Sequence, residues 1–111
     1  MIKYVNTVPP TLTLDFERGV DGNFRGTAAF TGSKTVSLIN NPEAEVFTFT
    51  FPVTTSCALT FPSNFEFEST ETRWNGTTNI LTLTGTGTYI VGALFDGTTW
   101  RAKASADGGH A

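Results

Sequence analysis

Between Val46 and Phe51 the chain alternates strictly, with Phe47, Phe49 and Phe51 on one side and Val46, Thr48 and Thr50 on the other. Side chains of a strand point to opposite faces with a period of two, so these three Phe residues must share one buried surface. Burying each is worth about 1.5–3 kcal/mol, enough to make this segment the centre of a core. No segment carries the 3.6-residue apolar period of an amphipathic helix.

The same period recurs along the chain. Leu12, Leu14 and Phe16 alternate with Thr13 and Asp15. After the turn-rich stretch Arg18 to Asn23, the residues Phe24, Ala28 and Phe30 share a face with Gly26, where a missing side chain allows a bulge or close backbone approach. Val36 and Leu38 follow, and Asn40-Asn41-Pro42 closes that strand. Pro52 is expected to end the Phe-rich strand, with Cys57, Leu59 and Phe61 forming the next. Phe65 and Phe67 alternate with Glu66 and Glu68, and Leu81 and Leu83 with Thr82 and Thr84. Gly85-Thr86-Gly87 reads as a turn. Tyr89, Val91, Ala93 and Phe95 then alternate up to Asp96-Gly97, after which Trp100 to Ser105 returns, a hairpin signature. The pattern predicts an all-β fold, a single antiparallel β-sandwich or jelly-roll-like barrel of about eight short strands. It divides the chain into an extended N-terminal arm (1–11, with Pro9-Pro10), a β-domain (12–105) and a flexible tail (106–111).

Charge and composition exclude several function classes. Only 15% of the 111 residues are charged, well below the globular average of about 25%. Abundant Thr fills much of the gap, which suits neutral, hydroxylated outer faces. The seven basic residues are scattered and the net charge is -3, so nothing resembles the basic patch of a nucleic-acid binder. No apolar run approaches the ~20 residues of a membrane-spanning helix. Met1-Ile2-Lys3-Tyr4 lacks the features of a secretory signal, so the expectation is a protein made inside a cell. A lone cysteine, Cys57, can neither close an intrachain disulfide nor complete a cysteine metal site.

The residues with reactive chemistry do not assemble into a catalytic set. A nucleophile needs a base, usually His, and His110 lies in a Gly-rich tail. Glu66 and Glu68 could act as paired carboxylates, yet the Phe residues around them take the opposite face, so they read as a solvated strand surface. Asp21-Gly22-Asn23 lacks the spacing of a calcium loop, and Asn75-Gly76-Thr77, a formal glycosylation acceptor, reads as turn chemistry. The expectation is therefore no enzyme, no cofactor and no metal. Trp74 and Trp100 are the best binding candidates, since Trp is enriched at interfaces and can stack on sugar rings. Trp100 competes with a reading as core cover beside the last hairpin. Trp74 sits in a polar loop where Arg73 and Asn75 flank it.

From Leu12 onwards the chain resembles a β-structural module of tailed-bacteriophage virion proteins, found in capsid-decoration proteins, head fibres and tail fibres. The resemblance rests on Leu14-Asp15-Phe16, Asn23-Phe24, Phe30 to Val36 with its Thr31-Gly32 step, Asn41-Pro42, Leu59 to Asn64, Trp74-Asn75-Gly76, Ile80 to Thr84 and Phe95 to Trp100, in that order. It implies a non-enzymatic virion protein, assembled in the host cytoplasm, that is often a homotrimer and contacts the major capsid protein or another virion protein. Without heptads or a collagen-like repeat to form a shaft, a capsid-decoration or head-fibre role is expected, with Pro9 and Pro10 available to lie across a neighbour. The alternative is a tail-fibre or baseplate tip that binds a host-surface glycan through Arg73, Trp74 and their loop.

Overall fold

The computed structural model describes residues 2–16, 22–40 and 46–106. Within them the chain forms ten strands: β1 (Ile2–Val5), β2 (Thr11–Asp15), β3 (Asn23–Gly26), β4 (Phe30–Ile39), β5 (Val46–Thr60), β6 (Phe65–Phe67), β7 (Trp74–Asn75), β8 (Ile80–Thr84), β9 (Gly87–Phe95) and β10 (Trp100–Ala106). The all-β expectation holds. The strands belong to one sheet organised around β5, and its ladders are mixed rather than wholly antiparallel. The β1–β3, β3–β5, β2–β4, β4–β5 and β6–β10 pairs are parallel, while β9 pairs antiparallel with β5 and β10, and β8 with β5 and β7.

β5 is long enough to carry two sets of neighbours. Its first half pairs with β3 on one side and β9 on the other, its second half with β4 and β8. The chain therefore crosses the same level four times: at Asn6–Pro10, at Thr27–Ala29, at Gly85–Thr86, and within β5 at the exposed residues Thr54, Thr55 and Ser56. There the sheet folds over, and one layer (β1, β3, β9, β10, β6) meets the other (β2, β4, β8, β7) across the core. Phe16, just after β2, lies 5.1 Å from Phe24 on β3, and Phe61, just after β5, lies 4.9 Å from Phe65 on β6. This layering is consistent with the expected sandwich or barrel, in which strands change sheet at bends.

The parallel neighbours are joined by crossovers of ordinary length, a dozen or more residues. β1 connects to β3 through β2, and β3 connects to β5 through β4, each intervening strand lying in the other layer. The chain thus winds as a coil, advancing by 21 residues from Ile2 to Asn23 and by 25 from Asn23 to Thr48.

Two expected breaks are not breaks. Pro52 lies inside β5, opposite Thr88. The Thr48 N–H donates to the Gly22 carbonyl (2.8 Å), so even-numbered residues of β5 turn their backbone groups towards β3. By alternation Pro52 does too, at the point where β3 has stopped pairing at Thr50 and β4 begins only at Val53. Its missing N–H therefore costs no ladder bond. Gly85-Thr86-Gly87 is likewise no reversal, because β8 and β9 run in line along β5. The Tyr89 hydroxyl holds this bend against the carbonyls of Thr84 (2.8 Å) and Gly85 (3.1 Å), and Thr86 Oγ1 donates to the Thr54 carbonyl.

The N-terminal segment is extended as expected, but it is not a free arm. β1 pairs with β3, Val5 is buried, and Thr7 is 1% exposed. The Thr7 hydroxyl donates to the Ala28 carbonyl (2.6 Å) and accepts the Ala28 N–H (3.1 Å), stitching the gap between β3 and β4. Gly26 permits this approach: an ideal Cβ there would sit 2.9 Å from Thr7 Cγ2 and 3.2 Å from Phe51 Cβ. Of the expected tail, Ala106 ends β10, and 107–111 lie outside the described residues, as do residues 18–21 of the expected Arg18–Asn23 turn and Asn41-Pro42.

The core follows the alternation. Phe47, Phe49, Phe51, Val53, Cys57 and Leu59 of β5 are all buried, together with Leu12, Leu14, Phe24, Val36, Leu81, Leu83 and Val91. Burial pushes the Cys57 thiol up to about 11, partly offset by a hydrogen bond with the Leu83 backbone, so it stays protonated at neutral pH.

Candidate binding surfaces

The sequence-predicted residues separate into different environments. Trp100 is not on a surface. It is 3% exposed and lies against Phe47, Phe65 and Phe95 at centroid distances of 5.1, 5.8 and 4.9 Å. It opens β10 opposite Phe95, so its inward direction follows from the ladder, and its indole plugs the end of the core next to the last hairpin. That hairpin is closed by Asp96, whose carboxylate accepts the N–H groups of Thr98 (2.9 Å) and Thr99 (2.8 Å), with Gly97 in the left-handed region that glycine favours.

Pro9 and Pro10 are exposed, but their segment is tied down. Lys34 Nζ on β4 donates to the carbonyls of Val8 and Pro9, both at 2.9 Å. Arg73 is occupied internally as well. Its guanidinium grips both carboxylate oxygens of Glu71 (2.7 and 2.9 Å) and reaches the Ala104 carbonyl on β10 at 3.3 Å. This pair holds the Glu71 carboxyl below its ordinary value, chiefly through the Arg73 side-chain hydrogen bonds, and raises Arg73 correspondingly. Arg73 thus pins the β6–β7 loop to β10. Asn75 is exposed, but its Oδ1 is spent on the N–H groups of Thr77 (2.9 Å) and Thr78 (3.2 Å), shaping the turn into β8.

Trp74 alone joins core and surface. It is half-buried, with its ring 4.6 Å from Phe67 and 6.0 Å from Phe61. The remainder of the indole lines an open cleft of about 420 Å³ between the β6–β7 loop and the last hairpin. Glu66, Glu68 and Glu71 line it too, and each is ion-paired: with Arg101 (2.9 Å), Lys103 (3.6 Å) and Arg73 (2.7 Å). The two exposed pairs, Arg101–Glu66 and Lys103–Glu68, contribute at most about 1 kcal/mol each, whereas the Glu71 side chain is largely buried.

A second surface was not singled out from sequence. On the outer side of the layer containing β1, β3, β5 and β9, Val46 is 62% exposed and sits opposite Leu94, 55% exposed. Next to them Gly92 faces Thr48, and the missing side chain leaves a shallow depression of about 320 Å³ whose rim carries Arg101 and Lys103. Tyr4 (65%) and Ile2 are exposed on the same face of β1, separated from Val46 and Leu94 by Asn23 and Arg25 of β3. The signal was present in Leu94, an apolar residue at a position where the β9 alternation calls for a polar one.

Among the described residues no group of three His, Cys, Asp or Glu side chains is placed to hold a metal ion, and no helix is long and apolar enough to cross a membrane. Comparisons with protein-family models, with curated proteins and with solved structures found no match.

Proposed function

We propose that this protein is a non-enzymatic structural protein of a tailed-bacteriophage virion, a capsid-decoration or head-fibre protein that self-associates, as a trimer, and seats on the capsid surface. The observation that carries this reading is the exposed apolar pair of Val46 and Leu94, with Tyr4 exposed on the same side of the sheet. These side chains do not serve the core, which is complete beneath them, and apolar residues gathered on one face mark sites of protein contact. The resemblance of the ordered sequence elements to virion β-modules favours another virion protein as the partner. The physical work is to bury area across a shell, stabilising the assembled state by mass action.

The test is the copy number of the chain in particles purified from its own source, by quantitative mass spectrometry against the major capsid protein. Copies comparable with the capsid subunits support decoration, a few per particle move the protein to the tail, and absence from particles overturns the reading. A Val46→Ser/Leu94→Ser double variant should lose attachment while its melting changes little, because exposed substitutions cost within about 0.5 kcal/mol.

A further inference from the structure

The Trp74 cleft has the composition of a binding site for a small, neutral, hydroxyl-rich ligand. We propose that it takes a neutral hexopyranose unit, stacked on Trp74 and hydrogen-bonded by Asn64, Glu68 and Thr99. This site shares neither Trp74 nor Asn64 with the apolar docking face and stands whether or not the virion reading does.

Three observations carry it. First, the indole N–H of Trp74 has no acceptor among the described residues, and it borders the cleft beside Gly76, whose ideal Cβ would lie 3.5 Å from Nε1. The ring is held against Phe67 (4.6 Å), so the platform is fixed before any ligand arrives, which lowers the entropic cost of binding. Second, the walls present hydrogen-bonding groups in mixed senses. The hydroxyls of Ser63 and Thr99 bond no other side chain or backbone group among the described residues, Asn64 offers an amide held only by a long 3.5 Å bond to the Thr98 carbonyl, and Glu68 supplies carboxylate oxygens. Vicinal sugar hydroxyls both donate and accept, and a pocket with few convergent polar groups around an aromatic surface suits them. Third, the charge is balanced. All three carboxylates in the walls are paired with Arg101, Lys103 or Arg73, and none of those cations lines the cleft. A cationic ligand would have to displace these partners and an anionic one would meet carboxylates, so the cleft selects for a neutral molecule.

The experiment is a titration of the uniformly ¹⁵N-labelled protein, following its two Trp indole N–H resonances. The probes are methyl α-D-glucopyranoside, methyl β-D-galactopyranoside and N-acetylglucosamine, with tetramethylammonium chloride as the cationic competitor. At least one sugar should shift the Trp74 resonance saturably, with a Kd of about 1 mM as expected for a ligand of this size, while Trp100 in the core stays still. Glu68→Gln and Asn64→Ala should each weaken binding by about tenfold. The unmoved Trp100 resonance confirms that each variant is folded, and Ser63→Ala serves in place of any that is not. The proposal is overturned if no sugar moves Trp74, if only tetramethylammonium does, or if binding survives both substitutions undiminished.

Discussion

Replacing Gly26 by Ala tests the way the N-terminal strand is locked into the sheet. Gly26 has no left-handed backbone angle, so the substitution meets no conformational obstacle of its own. In an open position it would stabilise by about 0.4–1 kcal/mol, through the smaller freedom of the unfolded chain. The added methyl carbon instead arrives 2.9 Å from Thr7 Cγ2 and 3.2 Å from Phe51 Cβ, both closer than ordinary van der Waals contact. Neither neighbour is free to retreat. Thr7 is fixed by its two hydrogen bonds to Ala28, and Phe51 is fully buried, with its ring 4.8 Å from that of Phe49. Overpacking of this kind costs about 1–3 kcal/mol, so the net loss should be about 1–2 kcal/mol. Thr7→Ser removes Cγ2 and keeps the hydroxyl. In that background Gly26→Ala should cost less by about 1 kcal/mol, and the remainder reports on Phe51. The assay is urea unfolding of the four proteins in the cycle, followed by far-UV circular dichroism, with the slopes compared to confirm a common unfolding transition. A neutral Gly26→Ala, or two substitutions that add within about 0.5 kcal/mol, would refute the packing of the 6–10 segment against β3.

Other consequences are equally direct. Phe49→Ala should cost about 3–5 kcal/mol in the same assay, most of the margin of a domain this size, whereas Thr48→Ala on the opposite face should be nearly silent. Because the Glu71 carboxyl is held below its ordinary 4.5 by Arg73, the unfolded chain binds its proton first as pH falls. Its stabilising contribution is therefore complete above about pH 4.5 and is lost as pH drops through the lowered folded value. Glu71→Gln should flatten the acid limb of stability against pH and cost about 1–3 kcal/mol near neutrality. Cys57 should resist iodoacetamide in the native protein at pH 8 and label fully in urea; rapid native labelling would contradict its burial.

Strand faces were legible because alternation is local: the inward residues of β5, β8 and β9 are those the sequence marks as inward. Partners were not. A period of two says which side a residue faces and nothing about the direction of its neighbour, so the parallel coil of β1 to β5 left no trace. Pro52 and Gly85-Thr86-Gly87 were misread for a related reason. Both residue types usually punctuate strands, and here they sit at the bend, where a missing N–H or a left-handed angle is what continuity requires. Gly26, by contrast, was recognisable as a point of close approach. At the candidate sites, Arg73, Trp74 and Asn75 were grouped as one surface, whereas the Arg73 guanidinium is taken up by Glu71, only two residues back. That pairing depends on a tight turn whose Glu71 N–H bonds to the Glu68 carbonyl (2.9 Å), and no side-chain pattern announces it.

The central place of β5 has a consequence for synthesis. Its earlier partners, β3 and β4, leave the ribosome before it, but Val46 pairs with Leu94 and Thr60 with Ile80, so one flank waits for chain not yet made. At about 5–20 residues per second, the strand bearing Phe47, Phe49 and Phe51 spends some seconds with that flank open. During that interval the most apolar strand of the protein can associate with other nascent chains, and pairings this distant in sequence close slowly. Yield in the cell should therefore respond to translation rate and temperature more steeply than the stability of the finished fold would suggest.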